Sequence, residues 1–282
     1  MPLEVEAESR GLFFDRIVDQ LVLNNRATAG PKKEQFVMLQ VLPERATPFV
    51  GGGPFRIRPM RPGLTEGRAM ADPVIGPLSR VDHAFLDVGA LVSMHQHRND
   101  EILSYMWKGL MVHEDSTGQR VELTPSRLMM MSAGRGFSHE ESTPGVPVEM
   151  LQIFIRPQAA DLEPSVQFHE RPAITRGEWI RLGGPLGSGA PLTIRNRVNV
   201  YDAHLKAGDR ITAPSIRGWR QWLYVMHGTV EIGGQSLEKG DAVTDAAADL
   251  PEFRATSDTT LVAFLIDPAA PVSLAGSHSG RR

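Results

Sequence analysis

Two short stretches carry donor groups at a spacing that suits a metal ion: MHQHRNDE at residues 94–101 and SHEES at residues 138–142. The first offers His95 and His97, the second His139 and Glu141. Side chains of an extended strand alternate between faces, so residues i and i+2 point the same way and can converge on one centre. Two such strands facing one interior would present three imidazole nitrogens and one carboxylate oxygen. Nine histidines in 282 residues produce a chance His-x-His pair about 0.3 times, so that pair alone is weak and its surroundings must carry the argument.

The elements that would position these groups are short strands. Twenty-seven glycines and 21 prolines punctuate apolar runs such as EILSYMW, RLMMMS, VEMLQIFI, QWLYVM and LVAFLI, a pattern that predicts an all-β sandwich or barrel. The chain is long enough to bury a sizeable core without help from a metal or a disulfide. It has no cysteine, which excludes thiolate ligands and cysteine nucleophiles and suits a reducing, cytoplasmic setting. The net charge of −3 lacks the cationic excess that direct nucleic-acid binding requires. No apolar stretch approaches the roughly 20 residues needed to cross a bilayer, so a soluble protein with small partners is expected. Within GLFFDRIVDQLVLNN, Phe13, Phe14, Ile17, Val18, Leu21 and Val22 recur at helical spacing, which predicts one short N-terminal amphipathic helix. The methionines at 94, 106, 111 and 129–131 are expected to be core filler.

An internal repeat organises the strands. A shift of 119 residues lays Leu86 on Leu205, Gly89 on Gly208, Tyr105 on Tyr224 and Gly109 on Gly228. A shift of 114 then lays Leu123 on Leu237, which places a shortening of five residues in the second copy's hairpin. Under these shifts His95 meets Pro214, His97 meets Ile216, Glu101 meets Arg220, His139 meets Phe253 and Glu141 meets Ala255. If the histidines served only packing, both copies would have equal use for them. Their confinement to one copy favours chemistry there.

Gly89, His95-x-His97, Glu101 and Gly109 resemble the first cupin motif, and GRGFSHEE resembles the second. More narrowly, HQHRNDEILSYMWKG, HEDSTG and MMMSAGRGFSHEES resemble the pirin family of bicupins over about residues 80–145. The departures are Gln96 for proline, Asn99-Asp100 for Gly-Phe and Ser126-Arg127 for Gly-Asp. The resemblance implies two jelly-roll-like cupin barrels, a metal-binding one at 35–165 and a degenerate one at 166–270; the extension at 1–34 bears the helix read from its periodicity, and the small polar text at 271–282 predicts a disordered tail.

The pirin pattern carries the metal ligands onto His95, His97, His139 and Glu141, whereas generic cupin logic nominates Glu101. Glu101 lies roughly 13 Å along an extended strand from His97, and Glu141 less than about 7 Å from His139, which favours Glu141. Glu101, His113 and Arg135 are then candidates for backing a ligand or lining a substrate pocket. His169, His204 and His227 fall outside the matched motifs. The resemblance implies one divalent ion, Fe(II) first, although this nitrogen and oxygen set also suits Ni, Mn, Co, Cu or Zn. It further implies dioxygenolytic cleavage of a flavonol or enediol such as quercetin with O2, with Glu141 as general base. The alternative is a non-enzymatic metal-binding regulator acting through a protein partner, and a homodimer fits either reading.

Overall fold

The apolar runs form strands covered on both faces. In Glu101–Lys108 the first six residues are buried, and all eight are in Thr259–Ile266, which explains near-continuous apolar text where a one-sided sheet would alternate. A computed structural model describes residues 38–67 and 71–280. The expected helix near the N-terminus lies outside the described residues.

The described chain builds two barrels, each from a seven-stranded and a four-stranded sheet. The strands follow the repeat: Glu101–Lys108 corresponds to Arg220–His227 at the shift of 119, and Val148–Ile155 to Thr259–Ile266 at a shift shortened further to 111. The hairpin that follows runs from Asp115 to Arg120 in one copy and only from Ile232 to Gln235 in the other. Gly109 and Gly228 both have left-handed backbones, φ +88° and +80°, and a Cβ at either would run into the carbonyl oxygen of Pro147 or Asp258. Only glycine fits this turn, which is why both copies keep it. The two large sheets contribute to one core cluster, with Leu103, Tyr105, Met130 and Leu151 from one and Val200, Trp222, Tyr224 and Phe264 from the other. Among the described residues no helix is long and apolar enough to cross a membrane.

Several expectations need correction. Gln40–Leu42, expected within the first barrel, pairs with Ala242–Thr244 at the edge of the second. Ser165–Glu170, expected to begin the second barrel, pairs with Arg127–Ser132 of the first. An exposed sheet edge accepts any extended segment that can satisfy its backbone groups, so a segment's own residues do not announce its partner. Met106, Met111 and Met129 to Met131 are buried as core, but Met94 is 51% exposed. Residues 271–280 are not a disordered tail. Ser273 N–H donates to the Pro157 carbonyl, Arg156 Nε donates to the Ser279 carbonyl, and Asp100 accepts from Ser277, His278 and Ser279. Small polar residues cannot build a core and so look unstructured in sequence, but a buried carboxylate can hold them.

Candidate metal centre

The four-stranded sheet of the first barrel carries the donors. Leu91–His97 runs antiparallel to Phe137–Ser142 with His95 opposite His139, and a register shift between His139 and Glu141 sets Glu141 opposite Val92. On its other side Phe137–Ser142 pairs with Met111–Asp115, with His113 opposite Glu141. Each i, i+2 pair lies on one face of its strand, and the pairing brings His95, His97 and His139 together, with Glu141 beside His113 and His139. Single ring nitrogens of His95, His97 and His139 lie within 4.8 Å of one another, and His113, His139 and Glu141 form an adjoining group of the same tightness.

Hydrogen-bond partners settle where the protons sit. His95 Nδ1 donates to the Ser93 carbonyl at 2.9 Å and His97 Nδ1 to Asp100 at 3.2 Å, which leaves both Nε2 atoms unprotonated. His113 Nε2 donates to Asp115 at 3.2 Å, so its Nδ1 accepts from His139 Nδ1 at 3.3 Å. His139 Nε2 is then an unprotonated nitrogen, buried and without a hydrogen-bond partner. His95, His97 and His139 thus each donate through Nδ1 to a group that orients the ring, as metal-ligating histidines usually do, whereas His113 donates through Nε2.

This arrangement passes the test for a cation. His95 Nε2 and His97 Nε2 stand 3.0 Å apart, and with both Nδ1 protons engaged their lone pairs face each other, which is repulsive. Two nitrogens about 2.1 Å from one ion and at right angles stand about 3.0 Å apart, so an ion would turn the repulsion into ligation. Burial lowers the pKa of His97 and His113 and, together with the neighbouring imidazoles, pushes His139 down to about 2. Burial thus favours the neutral form of these three rings, the form that binds metal. Burial alone would raise Asp100 and Asp115, but their donors outweigh it and hold both carboxylates below the usual range.

A cavity of about 250 Å³ opens beside these rings, lined by His95, His97, Glu141, Gln152, Phe154 and His278 among others. Glu141 is buried and accepts weakly from Gln152 Nε2 at 3.4 Å, and burial pushes its pKa up to about 7. The other sequence candidates separate. His113 is buried against His139, as described above. Glu101 is buried but accepts from Ser132 and the Arg195 N–H, outside the cavity lining. Arg135 is an exposed partner of Glu163, also outside it. Sequence reasoning missed Asp100, Asp115 as the group that orients His113, and His278. Asp115 sits in the DSTG turn, where it accepts from Thr117 and Gln119, and that role concealed its second. Asn99, at φ +53°, occupies a backbone region open chiefly to glycine and asparagine, which accounts for asparagine where the family text has glycine. In the second barrel Phe253 and Ala255 are buried in an apolar cluster, and among the described residues no metal-binding group lies there.

Comparison with known proteins agrees with this architecture. The family model described as Pirin matches residues 74–155, and that described as Quercetinase C-terminal cupin domain matches residues 182–267. A Zymomonas mobilis relative with a provisional quercetin 2,3-dioxygenase name is 30% identical over 173 residues, covering 60% of this chain and 73% of the relative. Quercetin 2,3-dioxygenase of Escherichia coli K12 is 24% identical over 185 residues, covering 65% of this chain and 79% of the relative. The chain spans 65% of the length of the mycobacterial relatives it matches at 31% identity. The structure of the bacterial pirin YhhW from Escherichia coli in complex with nickel(II) superposes with a TM-score of 0.70 at 19% identity, covering 81% of this chain and 99% of that one.

Proposed function

This chain belongs to the pirin family, and from that premise we propose that its first barrel is a metal-dependent dioxygenase site for a flavonol or enediol-type substrate. His95, His97 and His139 would hold one divalent ion with Glu141 completing the set, Fe(II) first, with Ni, Mn, Co, Cu and Zn also suited to these donors. When bound, the ion would lower the pKa of a chelating substrate hydroxyl and supply a site for O2 chemistry. The observation that carries the reading is the approach of His95 Nε2 and His97 Nε2 to 3.0 Å beside an unpartnered Nε2 on His139.

The chain's own residues would then bind and move a proton. Glu141, once loosened from the ion, is a buried carboxylate whose pKa burial raises to about 7, matched to accept a proton near neutrality and return it. Glu141 faces the cavity, so it is the residue to take the hydroxyl proton, with Gln152 holding its Oε1. Apolar side chains such as Ile57, Met150 and Phe154 line much of the rest, beside Arg80 and Asp82, which suits the body of a planar aromatic ligand with polar substituents. The names of the relatives support a quercetin-like substrate class.

Anaerobic loading with each divalent ion, followed by oxygen uptake with quercetin and simpler enediols, tests the reading. Substrate-dependent oxygen consumption with at least one ion is expected. Flat traces for every ion and every enediol would overturn it in favour of a regulatory metal protein.

A further inference from the structure

Asp100 is wholly buried, and its two oxygens serve two clients at once. One is His97 Nδ1. The other is the segment 277–279: Ser277 Oγ donates at 2.6 Å, Ser279 Oγ at 2.7 Å, Ser279 N–H at 2.8 Å and His278 N–H at 3.1 Å. Ser277 N–H also donates to the Arg98 carbonyl. A Cβ on Gly276 would collide with Ser279, Asp100 and Asn99, so this segment approaches the barrel as closely as a backbone can. The contact seats the His278 ring 4.7 Å from that of His97 and stacked at 5.8 Å on Phe154, in the wall of the cavity.

The cavity that His278 helps to wall has a volume of about 250 Å³, just under the low end of the range of about 300–1,000 Å³ usual for ligand pockets. Resting on the metal-dependent reading above, we infer that residues 273–280 form a specificity strap, clamped by Asp100, that sizes the site for a compact single-ring enediol. Under the strap, His278 contacts the ligand. A three-ring flavonol enters only when the strap lifts. The His97–Asp100 hydrogen bond involves no residue of the strap, so ion content is expected to survive its loss.

The test compares the full chain with a full-length S277A/S279A variant and with a chain stopped after Leu274. Each is loaded with redox-inert Zn(II), and 4-nitrocatechol and quercetin are titrated by absorbance. The full chain should bind 4-nitrocatechol about tenfold more tightly than quercetin, and both variants should gain about tenfold for quercetin with zinc content unchanged. Equal quercetin affinity in all three proteins overturns the size selection. A second arm needs neither ion nor ligand: diethyl pyrocarbonate modification of His97, followed by peptide mass spectrometry, should be about tenfold faster in both variants. Equal rates would show that the strap does not cover His97. Binding of neither ligand by any of the three overturns the enediol reading and the size selection with it, while the labelling arm still decides whether the strap exists.

Discussion

Tyr224 of the second barrel places its hydroxyl 2.7 Å from His83 Nδ1 of the first. Arg58 Nη2 donates to that hydroxyl at 2.7 Å, so the hydroxyl proton points to His83, whose Nε2 then donates to Glu149 at 3.0 Å. The chain Arg58, Tyr224, His83, Glu149 joins the barrels through groups that are all buried. Tyr224→Phe removes the central link and strands His83 Nδ1 without its donor. A loss of about 1–3 kcal/mol is expected for such a buried vacancy, read as a lower urea midpoint with an unchanged slope. An unchanged midpoint would mean that the bridge contributes nothing.

Metal content separates the two barrels. The parent should hold one divalent ion per chain and His97→Ala none, as measured by mass spectrometry of the metal after dialysis, while the far-ultraviolet spectrum stays that of the parent. A large buried core does not need the ion to fold. Adding the ion at about 100 times its dissociation constant should nevertheless stabilise the parent by about 2.7 kcal/mol, and chelator should reverse this. The variant should show neither effect.

Glu101 makes a prediction about pH. Burial pushes its pKa up from 4.5 to about 7, against the hydrogen bonds from the Arg195 N–H and Ser132. The folded state therefore holds the proton more tightly than the unfolded one. The stability this contributes is complete below pH 4.5 and fades as pH rises towards 7. Glu101→Gln imitates the protonated form, so its advantage over the parent should be absent in acid and grow to at most about 3 kcal/mol above pH 7. Urea unfolding across this pH range measures it, and a pH-independent difference would refute it.

Gly109→Ala and Gly228→Ala should each destabilise the chain by about 1–3 kcal/mol from backbone strain alone, with the carbonyl collision added. Thermal unfolding of the two variants checks whether the repeat imposes the same constraint twice.

Arg135→Ala provides the opposite control. Its guanidinium is 61% exposed beside Glu163, and an exposed ion pair is worth about 0–1 kcal/mol. Metal content and ligand affinity should match the parent, and a loss of either would return Arg135 to the site.

The sequence by itself determined the strands, the duplication and the asymmetry of donors between copies. Those features are local or periodic: runs such as VEMLQIFI are apolar because both faces are covered, and an i, i+2 spacing places two side chains on one face of whichever strand holds them. Tertiary structure alone decided that His95 faces His139, that Asp100 and Asp115 set the protons on the ring nitrogens, and that Gln40–Leu42 completes the other barrel. The hydrogen bond from Ser279 to Asp100 spans 179 residues. Neither residue's neighbours in the chain contain that information, because a buried carboxylate takes whichever donors the completed fold brings within reach.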